Sequence, residues 1–376
     1  MQENNVIRHR RYLHQIPEIG FELPKTKAYI ETQMTALGYQ TYTVAKSGLI
    51  AVKKGTQDKA IAFRADMDAL AIHEENDATY KSRHHGAMHA CGHDAHMAML
   101  LGLAELIARK DNIEKDVIFV FEPAEETLGG AKDIMESGML DAYEIEAIFA
   151  LHLDPDLEEG KLGVTDGIMT AQDGDFDLTI QGANAHGTNP HQGNDALLAA
   201  AQLSQQYHTI ISRSLDPMHA AVINIGTMHV GEGRNIIANK ATIKGSIRAF
   251  NLGVFQHLKN RMRQIDAGIE HAYNVTLDNV ITDLHPPVIN DHQLYEKMIA
   301  TFHAHAITKI QPMLLAEDFS YYQQKMPGLF IMLGTKNIPQ GYDQSLHSST
   351  FDFNEAILSR GVETFERLAK MMGVFS

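Results

Sequence analysis

Apolar positions along the chain alternate between two spacings, and the points of change divide it into elements. Up to about residue 38 they recur every three to four residues (Ile30, Met34, Leu37), which predicts helix, with Gly38 placed to end it. The stretches GLIAVKKG (48–55) and AIAFRADMDAL (60–70) then read as strands. A helix follows over 91–110, its apolar positions (Met97, Leu100, Leu101, Ala104, Ile107) again three to four apart. DVIFVFEPAEE (116–126) is a buried strand, GGAKDIMESGML (129–140) a short helix and EAIFALHL (146–153) another apolar strand. Strand and helix alternating in this way predict an α/β domain around a mostly parallel sheet, whose ligand sites lie at the strands' C-terminal ends.

The pattern changes between residues 172 and 285. Strands over 175–182, 221–230, 240–250 and 274–284, with helices over 194–211 and 252–273, give the order β-α-β-β-α-β of a ferredoxin-like unit. After HPPVIN (285–290), a proline-rich linker, α/β style resumes with a helix over 294–306, a strand over 328–335 and a closing helix over 354–372. The reading is a discontinuous α/β domain (1–170 and 287–376) interrupted by a satellite domain (171–286).

Composition narrows the function. Lys plus Arg number 32 and Asp plus Glu 47, a net charge of −15, which repels nucleic-acid phosphate and anionic lipid. No apolar run reaches the ~18 residues of a membrane span, and the first residues lack an apolar signal core, so we expect a cytoplasmic protein without nucleic-acid or membrane partners. The lone cysteine, Cys91, excludes an internal disulfide framework. The glycines of GTMHVGEGRN match neither a dinucleotide fingerprint nor a P-loop, and there is no nucleophile elbow.

Five of the 21 histidines and that cysteine fall within HHGAMHACGHDAH (84–96). Cys91 and His93, two residues apart in a glycine-containing turn before a helix, offer a thiolate and an imidazole to one ion. His84 and His85 read as solvated loop residues, and His96 as a core or supporting residue. Glu125 and Glu126 alone would read as an exposed acidic loop, but they stand at a strand's C-terminal end. There one carboxylate can bind metal while its neighbour acts as general base on water. His152 ends the next strand, and Asp66 and Asp68, closing 60–70, could orient a ligand imidazole. Asp66/Asp68, Cys91/His93, Glu125/Glu126 and His152 therefore converge on one sheet edge. These donors exceed what one catalytic ion needs, so two ions and metal-assisted hydrolysis are expected.

With these residues in place the chain resembles the M20 metallopeptidases, in particular the amidohydrolase branch of aminoacylases, N-acetyldiaminopimelate deacetylases, hippurate hydrolases and auxin-conjugate hydrolases. The resemblance spans nearly the whole chain: RRYLHQIPE (10–18), FRADMDAL, MHACGHDAH, FEPAEE, ALHL, AHGTNPH (185–191), EDFSYY (317–322) and SLHS around His347. It implies two divalent ions (zinc, manganese, cobalt or nickel) on Cys91, His93, Glu126, His152 and His347, with Glu125 as general base. His347 comes from the resemblance alone; in QSLHSSTF it reads as an ordinary loop residue. The resemblance further implies that His186 stabilises an oxyanion at a partner subunit's site, that Asn235 and Arg248 bind a substrate carboxylate, and that the satellite domain makes a homodimer or higher homo-oligomer. The chain departs from the branch at Ala71, where proline is usual, and around His186, where glycine usually precedes the histidine and alanines follow it. The expected activity is hydrolysis of small N-acyl, above all N-acetyl, amino acids. A dipeptidase or carboxypeptidase with the same metals is the alternative, and a non-catalytic metal- or peptide-binding relative a third.

Overall fold

A computed structural model describes residues 2–127 and 129–376, with side chains from Asn5 onward; Met1 and Leu128, which the helix and loop readings touched, lie outside the described residues. In chain order the elements begin with α1 (Gln2–His14), α2 (Pro24–Ala36), β1 (Gln40–Val44), β2 (Gly48–Lys53), β3 (Ala60–Asp66), α3 (His93–Ala108), β4 (Asp116–Glu122), α4 (Gly130–Glu136), β5 (Ile145–Glu158), β6 (Leu162–Val164) and β7 (Gly167–Ile168). Next come β8 (Gln172–Gln181), α5 (Ala196–Thr209), β9 (Ala221–Val230), β10 (Lys240–Ala249), α6 (Leu252–Tyr273) and β11 (Thr276–Asp283). The chain closes with β12 (Ile289–Asn290), α7 (His292–Thr301), β13 (Ile307–Lys309), α8 (Ser320–Gln323), β14 (Gly328–Lys336) and α9 (Ile357–Met371).

Two compact units result: Met1–Met169 with Ile289–Gln311 and Glu317–Ser376, and Thr170–Val288 with Pro312–Ala316. The first holds an eight-stranded sheet in the order β1-β2-β4-β3-β5-β14-β6-β13. Its centre, β4-β3-β5-β14, is parallel, and antiparallel pairs occur at β1/β2, β2/β4 and β14/β6. Every residue of β3 and β4 is buried, as expected of parallel strands covered on both faces. Helix α3 is itself buried almost all round, packed against β3, α1 and α9. That is why its sequence is apolar well beyond one stripe.

The second unit is a four-stranded antiparallel sheet, β11-β8-β10-β9. Here one face is buried: Phe176, Leu178 and Ile180 of β8 point into a core shared with Leu203 and Tyr207 of α5 and Phe255, Leu258 and Met262 of α6, while the residues between them are more open. Asp195 and Asn251 cap α5 and α6, each accepting two main-chain N–H bonds.

The single opening helix expected up to residue 38 is two helices, because residues 15–23, with Pro17, leave the helix and Ile19 bridges to Ala69. Strand β3 ends at Asp66, four residues earlier than the alternation suggested. The closing helix starts at Ile357 and α7 stops at Thr301, both shorter than their apolar periods. Strands β1, β6 and β13, short and at or near the sheet's edges, carried too few residues to register as alternation.

Candidate metal centre

Where β3 and β4 end, and midway along the longer β5, the first unit gathers ligating side chains, most of them buried. Cys91 is presented just before α3 by Gly92, whose φ of 84° places it in the left-handed region. A Cβ there would stand 2.7 Å from Leu153 Cδ1, so backbone conformation and close approach both call for glycine. His93 opens α3 and is fully buried. After β4, Pro123 and Ala124, at φ 60°, turn the chain so that Glu125 and Glu126 follow. Asp68 fastens that turn, accepting the N–H of Glu125 on Oδ1 at 3.0 Å and that of Glu126 on Oδ2 at 3.2 Å. His152 does not end its strand as expected but lies within β5, which continues to Glu158, in register with Met332 of β14. His347, also in the left-handed region at φ 63°, is tied by its N–H to the carbonyl of Ala90 at 2.9 Å.

The hydrogen bonds settle which ring nitrogens remain free. His93 donates from Nδ1 to the Asp68 carbonyl at 2.8 Å, and His152 from Nδ1 to the Leu153 carbonyl at 2.8 Å, leaving Nε2 on each. His93 Nε2 and Glu126 Oε1 are buried without a hydrogen-bond partner, 3.8 Å apart, and His347 Nε2 is 3.3 Å from the same Glu126 oxygen. His152 Nε2 lies 3.5 Å from Cys91 Sγ. Three imidazole nitrogens, a sulfur and a carboxylate oxygen thus gather in one place, with the second ring nitrogens of His93 and His152 already tied, as in metal-ligating histidines.

Two further groups of close ligating side chains, Asp66–His93–His96–His152 and Glu125–Glu317–Asp318, are less suited to an ion. His96 uses both nitrogens: Nδ1 donates to Asp66 at 2.6 Å and Nε2 accepts the Leu153 N–H at 3.0 Å. Asp318 accepts from Arg64 on Oδ1 and from the Ala131 N–H on Oδ2, both at 3.0 Å. His96 is therefore the supporting residue expected, holding the backbone beside His152. The orienting role foreseen for the aspartates takes another form. Asp66 bonds to His96 and Arg64 and comes no closer than 3.8 Å to His93, whereas Asp68 orients His93 through its main-chain oxygen.

Beneath these ligands Arg64, fully buried, bonds to Asp66 (2.7 Å), Glu122 (2.9 and 3.0 Å), Glu317 (3.0 Å) and Asp318 (3.0 Å), and Tyr322 donates to Glu122 at 2.6 Å. Sequence reasoning missed this cluster. An arginine inside the apolar strand AIAFRAD and the glutamate that ends DVIFVFE were its signals, since Asp66 and Glu122 are register partners; Glu317 and Asp318 lie too far along the chain to be inferred. Burial and the surrounding carboxylates push Glu125 and Asp318 well above the usual carboxylate range and raise Asp68 and Glu317. Burial disfavours a charged His93, yet Asp66, Asp68 and Glu126 raise it to about 10. Both directions report an excess of buried negative charge, which divalent cations on the free donor atoms would neutralise. The residues present fit such a group.

His186, Asn235 and Arg248 belong to the second unit. His186 is exposed, with Nδ1 bonded to Thr188 Oγ1 at 2.7 Å, and bridges to Ile236 beside exposed Asn235, whose carbonyl accepts the Gly187 N–H at 2.8 Å. Arg248 is not brought to them. It pairs with Val222 at the far end of β9 and β10, whereas Ala241 pairs with Val230 beside the loop carrying Asn235. The run from Ala241 to Arg248 spans about 24 Å at the rise of a strand. Arg248 donates instead to the Leu314 carbonyl at 2.8 Å.

A buried thiol, imidazoles and carboxylates gathered where β3 and β4 end and β5 runs past them, with a further glutamate beside them, define a metal-dependent hydrolase of amide bonds. The sequence agrees: residues 62–371 match the model of peptidase family M20/M25/M40, and the chain belongs to that family. An N-acetyldiaminopimelate deacetylase of Shouchella clausii is 35% identical over 371 residues, covering 96% of this chain and 97% of that protein. The Bacillus subtilis YXEP protein, described as a dinuclear metal-binding peptidase of the M20 family, superposes with a TM-score of 0.85 at 30% identity, covering 99% and 98% of the two chains. A solved structure from methicillin-resistant Staphylococcus aureus reaches a TM-score of 0.94 at 30% identity, covering 100% and 97%. Among the described residues no helix is long and apolar enough to cross a membrane.

Proposed function

We propose that this protein hydrolyses the amide of N-acyl amino acids, N-acetyl compounds foremost, releasing a carboxylate and a free amino acid. The observation that carries the reading is the set of free donor atoms on Cys91, His93, Glu126 and His152, with His347 beside Glu126, next to the Glu125 carboxyl. These five residues would hold two divalent ions, zinc, manganese, cobalt or nickel. Bound there, the ions would supply Lewis acidity to the scissile carbonyl and make water a better nucleophile. Glu125 takes the proton from the attacking water and returns it to the nitrogen of the departing amine as the C–N bond breaks. Cations on the neighbouring donors would offset the burial and the charges of Glu317 and Glu126 that raise its proton affinity in the metal-free chain, leaving it ionised to take that proton. Asp68 keeps Glu125 and Glu126 in place through their main-chain N–H groups.

His186 holds the developing oxyanion, and Asn235 and Arg248 bind the substrate carboxylate. Since one chain holds Asn235 and Arg248 about 24 Å apart along the strands, the two meet one substrate carboxylate only where two copies contribute to a site, as the role of His186 also requires. A homodimer through the satellite unit agrees with β9, a ten-residue strand at the edge of its sheet with exposed Val222 and Met228. The cytoplasm is the compartment we assign. The deacetylase name of the Shouchella clausii relative supports acyl over peptide substrates, and the peptidase name of the Bacillus subtilis relative favours the second reading, a dipeptidase or carboxypeptidase.

The test is free-amine release by chelator-stripped protein, with and without added manganese or zinc. The panel holds N-acetyl, N-benzoyl and long-chain N-acyl amino acids, N-acetyldiaminopimelate, and dipeptides. Metal-dependent release from acyl substrates supports the proposal; release from peptides alone replaces it with the second reading.

A further inference from the structure

One side chain of α1 joins the two segments that present Cys91/His93 and His347. Arg10 is 2% exposed. Its guanidinium carbon lies 4.7 Å from the centroid of the Tyr80 ring and 4.5 Å from that of Phe353. Its donors are committed to three carboxylates: Nε to Asp94 at 2.9 Å, Nη1 to Glu355 at 3.0 Å and Nη2 to Asp352 at 3.2 Å. Asp94 follows His93 in the first turn of α3. Asp352 and Glu355 follow His347 in a stretch that has no helix or strand before Ile357. His14, one turn beyond Arg10, bonds to the same Asp94 oxygen at 2.8 Å and to Glu74 at 3.1 Å. Around Glu74, the Glu75 N–H donates to the Ser349 carbonyl at 2.9 Å and Asn76 Nδ2 to the Phe351 carbonyl at 3.0 Å.

His93 opens α3 with Cys91 two residues before it, His152 is held within β5, and Glu126 is fastened through its N–H by Asp68. His347 lies outside any helix or strand; its side chain is 52% exposed and its backbone is in a left-handed turn. A ligand on such a segment is only as well placed as the bonds that pin the segment. We propose that Arg10 is a positioning residue for the His347 ligand, clamping the 347–355 segment to the start of α3. This rests on the ligand reading given above. The clamp needs a planar fork of donors, which a lysine at the same position cannot supply.

The experiment uses the full-length chain carrying Asp352→Asn with Glu355→Gln, which frees the His347 side of the clamp and leaves Arg10–Asp94 intact, and separately Arg10→Lys. Zinc stoichiometry and stepwise affinity are measured by chelator competition, the cobalt-substituted protein is examined for the thiolate-to-cobalt absorption of Cys91, and near-ultraviolet circular dichroism checks folding. Wild type is expected to bind two zinc ions. Both variants should keep the thiolate band and bind one ion normally, while the other weakens about 10–100-fold. A folded variant binding both ions with wild-type affinity overturns the inference while leaving the ligand reading intact, and so does joint loss of both ions and the thiolate band. Wild type that takes up no zinc overturns the ligand reading and the inference with it. Should Arg10→Lys fail to fold, the more exposed Asp352/Glu355 pair decides.

Discussion

His93 is fully buried, with one ring nitrogen committed to a main-chain carbonyl and the other facing Glu126, whereas His186 stands in an exposed loop and bonds to the neighbouring Thr188. The same contrast separates the rest of each set. Cys91, Glu126 and His152 come from different elements yet meet within one unit, while Asn235 and Arg248 sit at opposite ends of a hairpin. A constellation whose members converge, mostly buried and with the remaining nitrogens of His93 and His152 satisfied, can be read as a site from a single chain. Exposed residues that do not converge take their meaning only from something brought to them, which in the function proposed above is substrate or a second copy.

Substitutions can break this comparison. Glu125→Gln should lower turnover about 10³-fold with metal content unchanged, since a positioned acid–base group contributes about 10²–10⁴-fold; near-normal turnover with full metal would remove it from the chemistry. His186→Ala should cost about 10²-fold in turnover, as loss of an oxyanion donor does, without altering metal content or melting temperature. If His186 acts in a partner's site, mixing this variant with Glu125→Gln should restore part of the activity, and no restoration would confine each site to one chain. Gly92→Ala should destabilise the first unit by about 1–3 kcal/mol, read from the urea midpoint, by forcing a Cβ into the left-handed region.

The smallest effect concerns pH. Burial opposes a charged His14, but Asp94 and Glu74 outweigh it and raise the group from 6.5 to about 9. A group raised on folding contributes stability that is fully present below pH 6.5 and lost as pH rises through 9. Thermal stability should therefore decline between pH 7 and 9.5, and His14→Gln should flatten that slope. An unchanged slope in the variant would assign the decline to other groups.

The satellite unit was legible nearly element by element, because its sheet buries one face and its strands alternate accordingly: Phe176, Leu178 and Ile180 inward, Asp177 outward. The first unit's central strands were legible as apolar runs, but its short strands and the break between α1 and α2 were not, since β13 has three residues and packing decides their place. Of the site, the donors lying next to apolar strands announced themselves by position. His347 did not, for an exposed histidine in a polar loop carries no periodic signal. The Arg64 network escaped as well, because Glu317 and Asp318 reach it only through tertiary folding. Nor could spacing show that Asp68 serves Glu125 and Glu126 with its carboxylate rather than His93.

The pairing of β14 with β5 also bears on how the protein is made. Synthesis runs from the N-terminus, so the long apolar edge of β5 is finished well before residues 328–336 exist to cover it. The satellite unit, nearly continuous in the chain, can fold in that interval. A ribosome stalled anywhere in that window would display an unpaired strand edge, so the interval before β14 emerges is when the nascent chain is most exposed to misassociation and most in need of a chaperone.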